Sequence, residues 1–351
     1  MITFYPGPAK IYEAVPQLVQ EAYQAGILSA NHRSPEFQEL YRQAKERCFH
    51  KLNVPSDYEL LFVSSATECW EIIAQSFTEK LSLHVYNGAF GQKWFEYATR
   101  LTATRGQFFR LNESIPVEFE VKEPFDVICI TQNETSNGTQ VTNQQISNIR
   151  ANYDSAIIAV DATSSLAGIE LDISQADIWY ASVQKCFGLP AGMGVMICSP
   201  RAVAKAAEVD DRNHYNSFNF MLANASKFQT HYTPNVLNIY LLARIMEKIP
   251  DISQVGAEAM KKFEHWQDLI DRQPELNWLV ENKEVRSNTV LPVKAAPENI
   301  AAIKNGAKAA GIVLGNGYGN WKKDTFRIAN FPAITWYEIR QLTNFLEHYF
   351  H

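Results

Sequence analysis

The chain has 351 residues, 46% of them hydrophobic, and its 32 Lys and Arg against 38 Asp and Glu give a formal net charge of -6. This length suggests two domains with ample apolar residues for sizeable cores. Mild acidity without a Lys/Arg-rich block argues against nucleic-acid and membrane-surface partners, and no apolar run approaches the roughly 20 residues of a membrane span. The N-terminus, Met1-Ile2-Thr3-Phe4-Tyr5-Pro6-Gly7-Pro8, lacks a basic region followed by an apolar stretch. Cys48, Cys69, Cys129, Cys186 and Cys198 show no paired spacing and no neighbouring histidines. Neither a disulfide framework nor a metal site is expected, and a reducing cytoplasm fits best.

From about residue 15 to 230, short apolar runs alternate with longer amphipathic stretches. Leu60 to Val63 reads as a strand before a helix beginning near Thr67, and Leu83 to Tyr86 as a strand before one beginning near Phe90. Val127 to Ile130 and Ala156 to Val160 follow as strands. Ala176 to Lys185 is a strand-like run ended by the turn Gly188-Leu189-Pro190-Ala191-Gly192, and Gly194 to Cys198 is the next strand. Strand, crossover and strand in alternation indicate a parallel sheet covered by helices on both faces. From roughly 240 onward the pattern changes. Helices are predicted over Tyr240 to Ile249, Ala257 to Ile270, Pro297 to Ala310 and Trp336 to Tyr349, around short strands at Thr289 to Val293 and Thr325 to Ala329. The expected division is a large domain, 15–240, and a smaller α+β domain, 241–351 together with 1–14, packed against each other.

In open parallel α/β sheets, ligands lie in the crevice beyond the C-terminal ends of the strands. After Val63 comes Ser64-Ser65-Ala66-Thr67-Glu68, hydroxyl residues opening a helix whose free N–H groups and dipole suit a phosphate, although an ordinary N-cap reads the same way. Phe90 follows Asn87-Gly88-Ala89, where an aromatic could stack on a flat cofactor or enter the core. After Ile130, Thr131 to Asn137 offers polar side chains, and Asn137-Gly138 marks a turn. Asp161 ends one strand and Lys185 the next. An amine and a carboxylate at one crevice are what pyridoxal phosphate (PLP) requires: the lysine holds its aldehyde and the carboxylate keeps the pyridine nitrogen protonated. Singly these residues are unremarkable; jointly, five successive strand ends offer what one cofactor needs.

Several segments resemble the class V, fold-type I PLP aminotransferases, with the phosphoserine aminotransferase subgroup nearest. They are Phe4-Tyr5-Pro6-Gly7-Pro8, Asn31-His32-Arg33-Ser34-Pro35-Glu36-Phe37, Gln132 to Gly138, Val160-Asp161-Ala162-Thr163-Ser164-Ser165, Gln184-Lys185-Cys186-Phe187-Gly188 and Phe326-Arg327-Ile328-Ala329-Asn330-Phe331. The resemblance implies the PLP-transferase fold type I, an α/β architecture with a large, mostly parallel sheet and a smaller C-terminal α+β domain. It implies that Lys185 is the Schiff-base lysine and proton carrier and that Asp161 pairs with the pyridinium nitrogen. Thr135 would lie near the ring oxygen and Phe90 on the ring face, while Ala66, Thr67 and Gln184 would hold the phosphate. Tyr232 and Thr233 would reach across a homodimer interface to the neighbouring phosphate. Arg327 would take the substrate α-carboxylate, and His32 with Arg33 a distal anionic group.

Three positions depart from the subgroup. Ser65-Ala66-Thr67-Glu68 replaces a Gly-rich segment with an arginine, Tyr318 to Lys323 lacks a His-Arg pair, and Phe90 replaces a stacking tryptophan. Lysines attract phosphate as point charges without the planar fork of arginine. An alanine or serine aminotransferase using glyoxylate or pyruvate would keep Lys185, Asp161 and Arg327. A cysteine desulfurase would need a late nucleophilic cysteine, and none follows Cys198. A nucleotide-binding oxidoreductase would need a Gly-rich turn after the first strand, whereas Gly315-Asn316-Gly317-Tyr318-Gly319 falls late and reads as a flexible loop.

Overall fold

The computed structural model describes residues 1–350, and its strands, numbered along the chain, form three sheets. β1 (Ile2–Phe4) belongs to a five-stranded sheet with β11 (Asn277–Trp278), β12 (Val290–Lys294), β13 (Ile312–Asn316) and β14 (Thr325–Ala329), in the order β1-β13-β14-β12-β11. The seven-stranded sheet comprises β2 (Glu59–Val63), β3 (Ser82–Tyr86), β4 (Thr104–Phe108), β5 (Val127–Thr131), β8 (Ile157–Asp161), β9 (Ile178–Ser182) and β10 (Gly194–Cys198). Its order is β2-β10-β9-β8-β5-β3-β4. A small hairpin joins β6 (Asn133–Glu134) to β7 (Thr139–Gln140).

Neighbours from β9 to β4 run parallel, while β10 is antiparallel to both β9 and β2. The segment between Ser182 and Gly194 is shorter than the dozen or more residues a parallel crossover requires, so β10 must return in the opposite sense. The sheet is therefore mostly parallel, as expected. Every residue of β8, β9 and β10 is buried, in keeping with apolar runs covered on both faces. At the edge, Thr-Arg-Gly-Gln-Phe of β4 is largely exposed. Its polarity hides it from a search for apolar runs and discourages edge-to-edge pairing.

The helix Pro35–Leu52 illustrates how the covering layer is encoded. Ser34 caps it by accepting from the Phe37 N–H at 3.3 Å, proline occupies its first turn, and Asn53 leaves it at φ 53°. Its buried residues, Phe37, Leu40, Tyr41, Ala44, Cys48 and Leu52, recur at helical spacing on one face. One apolar core runs from Val15 to Val255 around the large sheet. A second gathers Phe4, Trp266, Val290, Phe326 and Leu342 around the five-stranded sheet. The helix expected from Ala257 begins at Ile252. Polar Ser253 and Gln254 with Gly256 blur the apolar period there, and farther on Lys262 occupies an inward position, its ammonium donating to the Ile334 carbonyl at 2.7 Å.

Gly138 turns the β6–β7 hairpin at φ +73°, and a Cβ there would lie 2.2 Å from Cδ of Pro292 in β12. Gly138→Ala is therefore expected to lower stability by about 1–3 kcal/mol, read as an earlier midpoint in denaturant titration. An unchanged midpoint would show that the hairpin can retreat from β12 without cost.

Candidate active site

Because β2 is parallel to β9 through the reversed β10, the C-terminal ends of β2, β3, β5, β8 and β9 share one edge of the large sheet. The strand expected to reach Lys185 stops at Ser182. Beyond it the chain turns inward, with Gly188 N–H donating to the Lys185 carbonyl at 2.9 Å and Leu189 N–H to that of Val183 at 3.1 Å. Gly188 sits at φ +61°, where a Cβ would strike the Tyr12 ring at 2.6 Å, so the turn requires glycine. A cavity of about 400 Å³ opens at this edge, lined by Ala66, Thr67, Phe90, Thr135, Asp161, Gln184 and Lys185. A second, of about 360 Å³, shares Phe90, Thr135 and Lys185 with it and adds Tyr318, Lys322 and Arg327.

Lys185 is buried, at 8% exposure. It donates to Thr135 Oγ1 at 2.8 Å and to Ser164 Oγ at 2.9 Å, and these two hydroxyls contact each other. Burial lowers its pKa to about 8, against the opposing pull of Asp161. Asp161 accepts from the Thr163 N–H at 2.9 Å, and burial raises its carboxyl above the usual range while Thr163 and Lys185 work the other way. Across the β8–β9 ladder Asp161 faces Tyr180, whose hydroxyl accepts from the Trp70 indole at 2.9 Å. Thr163 Oγ1, buried beside Asp161 on the cavity wall, has no hydrogen-bond partner among the described residues.

Phe90 opens the helix Ala89–Ala98, its ring 5.3 Å from the Lys185 ammonium. The helix start is held by a residue that the sequence did not single out, Glu134. One of its carboxylate oxygens accepts from the Phe90 and Gly91 N–H groups, each at 3.1 Å, and the other from Ser136 N–H at 2.9 Å and Ser136 Oγ at 2.6 Å. A buried carboxylate on the positive end of a helix is thereby satisfied on both oxygens. Lys93, one turn on, donates to the Tyr318 hydroxyl at 2.8 Å and so bridges the cavity mouth. At the other end Ala66 and Thr67 begin the helix Ala66–Ser76, with Ser65 capping Glu68 N–H at 3.2 Å and Ser182 Oγ accepting from Ala66 N–H at 3.2 Å. Glu68 turns back to Ser64, accepting from its N–H at 2.7 Å and its hydroxyl at 2.8 Å.

Arg327, on β14, is 6% exposed. Its Nε donates to the Asn316 carbonyl at 2.7 Å and one terminal nitrogen to the Thr135 carbonyl at 2.7 Å, which orients the guanidinium beside Tyr318. Four of the residues expected at the site lie elsewhere in the single chain. His32 and Arg33 precede the helix Pro35–Leu52, with Arg33 exposed, and Tyr232 and Thr233 precede the helix Val236–Lys248; none of the four lines either cavity. Residues at the site that were not anticipated are Glu134, Ser164, Tyr180, Lys93 and Tyr318. Glu134 and Ser164 lie inside the motifs that carry the resemblance, Tyr180 inside the run that ends at Lys185 and Tyr318 inside the late Gly-rich segment, so each had a positional signal; Lys93 had none.

Among the described residues, no helix is long and apolar enough to cross a membrane, and no group of His, Cys, Asp and Glu could hold a metal ion. The family model for aminotransferase class V matches residues 2–88 and 98–319. A phosphoserine aminotransferase from Rhodococcus opacus is 24% identical over 97% of this chain and 93% of its own length. The crystal structure of a phosphoserine aminotransferase from Cytophaga hutchinsonii superposes with a TM-score of 0.93, at 33% identity, over 99% of this chain and 98% of that one. An aspartate aminotransferase of subgroup IV from Thermus thermophilus has the same fold, with a TM-score of 0.87 at 18% identity, over 99% and 98% of the two chains. With a family match over most of its length and a solved relative at this identity, the chain belongs to the class V aminotransferases, a family of PLP-dependent transferases.

Proposed function

We propose that the chain is a transaminase of O-phosphoserine with 2-oxoglutarate as acceptor, serving serine biosynthesis. The observation that carries the substrate class is the charge of the second cavity. Arg327 and Lys322 line it, and Lys93, on the wall of the first cavity, donates to its Tyr318; among the described residues none of the three has a carboxylate ion-pair partner within 4.0 Å. Uncompensated cations facing one cleft favour a substrate with an anionic group besides its α-carboxylate. The names of the relatives point the same way. One observation favours the alternative, an alanine or serine aminotransferase using glyoxylate or pyruvate: His32 and Arg33 lie outside both cavities.

The residues present fit pyridoxal phosphate. A buried amine and a buried carboxylate face one cavity, a helix N-terminus with Thr67 closes one end, an aromatic ring lies beside the amine, and Thr163 Oγ1 is left without a partner. Bound there, the cofactor supplies an electron sink for charge at the substrate α-carbon. On this reading Lys185 holds the cofactor covalently, and its amine, once released, moves the proton at that carbon. A pKa near 8 leaves an appreciable neutral fraction at physiological pH for that task. Asp161 would pair with the ring nitrogen, Phe90 would stack on the ring and Thr135 would lie near its oxygen, while Ala66, Thr67 and Gln184 would hold the phosphate. Arg327 offers its remaining N–H groups to the α-carboxylate.

His32, Arg33, Tyr232 and Thr233 would then act from the neighbouring subunit of a homodimer. Support comes from an exposed aromatic group beside Tyr232: Tyr215 and Phe220, 67% and 49% exposed, flank His231. A large unit over 15–240 and a small one over 241–351 with 1–14 remain part of this reading, with the large core drawing in residues as far as Val255. A cytoplasmic setting suits five buried, unpaired cysteines.

The purified protein is expected to be yellow, and borohydride reduction should fix a pyridoxyl group on Lys185. Lys185→Ala should abolish transamination while leaving the protein folded; a pyridoxyl group on another lysine would refute the assignment. Asp161→Asn keeps the shape but not the charge, and its kcat is expected to fall by about 100-fold or more, comparable to losing 2.7 kcal/mol of transition-state stabilisation. Near-normal turnover would remove Asp161 from this role. Arg327→Ala should impair every amino donor by roughly 2–5 kcal/mol in kcat/KM. Arg33→Ala should impair O-phosphoserine and glutamate but spare alanine and serine. If wild type prefers alanine or serine and Arg33→Ala changes nothing, the small-amino-acid alternative replaces the phosphoserine reading.

A further inference from the structure

Ser164 is wholly buried, and among the described residues its hydroxyl meets only two side chains, Lys185 and Thr135. Its neighbour Ser165 behaves as a buried serine ordinarily does, its hydroxyl turning back to the Ala162 carbonyl at 3.3 Å. A hydroxyl whose partners are the buried amine and that amine's other partner has a different position in the network. An ammonium has three N–H donors, and Thr135 and Ser164 take two of them. A hydroxyl both donates and accepts, so one of the pair can donate to the lone pair of the neutral amine while the other accepts from an N–H. The two hydroxyls can therefore hold the nitrogen in place in either protonation state.

Both hydroxyl residues are in turn fixed by the five-stranded sheet. Thr289, next to β12, donates its hydroxyl to the Ser164 carbonyl at 2.7 Å and accepts from Asn133 Nδ2 at 2.6 Å, while Ser287 Oγ donates to Asn133 Oδ1 at 2.9 Å. Arg327, on β14, holds the Thr135 carbonyl. We propose that Ser164 is a positioning residue for the transamination: with Thr135 it forms a clamp on the free amine of Lys185, and Thr289 sets the register of that clamp from the second sheet. The clamp aims the nitrogen and undergoes no covalent change. The inference rests on the reading of Lys185 as the reactive lysine. The charged groups that face the amine are Asp161 at the end of β8, Glu134 on β6, Arg327 on β14 and the adjacent Cys186 thiol.

The test uses holoenzyme converted to its amino form with excess amino donor, so that Lys185 is free. Its labelling by an amine-directed reagent is followed against pH by peptide mass spectrometry. Ser164→Ala removes an acceptor from the ammonium, which disfavours the charged form, so the labelling midpoint should move down by roughly half to one pH unit. Its kcat should fall about tenfold or more, with KM for the amino donor little changed. Thr289→Val touches neither Lys185 nor the cavity, and it should move midpoint and kcat in the same directions by smaller amounts. A purely structural Ser164 would lower stability and leave the midpoint where it is in wild type. Unchanged midpoints in both variants, with borohydride mapping still on Lys185, overturn the clamp and leave the proposed function standing. Mapping to another lysine overturns both. Should Ser164→Ala not fold, Thr289→Val alone decides between these outcomes.

Discussion

The site depends on keeping one amine out of water without giving it a full counter-charge. Burying an ammonium is costly, and the usual remedy is an ion pair. Here the direct partners of Lys185 are two hydroxyls, and among the described residues no carboxylate lies within ion-pair distance of its nitrogen. The hydroxyls satisfy two of its three donors yet return little electrostatic stabilisation, so desolvation prevails over the more distant pull of Asp161 and Glu134 and the pKa falls. A carboxylate at 3 Å would push it the other way and leave a permanent cation, useless as a base. The arrangement thus sacrifices some stability for an amine able to change protonation state near neutral pH.

That balance requires rigid walls, and the five-stranded sheet supplies one of them. Arg327 uses its Nε and one terminal nitrogen on backbone carbonyls, one from its own sheet and one from the β6–β7 hairpin, so its remaining N–H groups have a fixed direction. The same hairpin is pinned against β12 by the close approach of Gly138 to Pro292 and by the Asn133, Ser287 and Thr289 side chains. The N-terminal strand β1, pairing with β13, brings Gly7 to 3.2 Å of the Lys185 side chain, measured from where its Cβ would stand. Cavity walls therefore come from residues hundreds of positions apart.

The parallel strands were legible because fully buried strands are continuous apolar runs, and their ends then announce Asp161, Phe90 and Thr67 by position alone. β4 was not, because an exposed edge strand of Thr-Arg-Gly-Gln-Phe has no apolar run. The stop at Ser182 was hidden for a related reason: Val183 and Gln184 continue the run by composition, and Val183 N–H still reaches the Met193 carbonyl, but the Val183 carbonyl turns to Leu189 N–H within the following turn and the ladder ends. Glu134 and Ser164 lay in view within motifs, yet their roles arise from contacts with residues far along the chain. His32, Arg33, Tyr232 and Thr233 could be named only through resemblance, since the single chain does not bring them to the cavity.

The reversal of β10 links this topology to the end of the cavity lined by Ala66 and Thr67. Entering between β9 and β2, β10 begins at the edge where the other strands finish, and Gly194 pairs with both Val63 and Ser182. A Cβ on Gly194 would lie 2.9 Å from the Val63 side chain and 3.0 Å from the Ala66 nitrogen. Only a residue without a side chain lets the start of the helix Ala66–Ser76 sit this low on the sheet, where Ser182 Oγ receives the Ala66 N–H. A longer connection after Lys185 would have allowed a parallel strand in this place. Its C-terminus, rather than a glycine, would then have met the helix, and the N–H groups that face the cavity would have been lifted away from it.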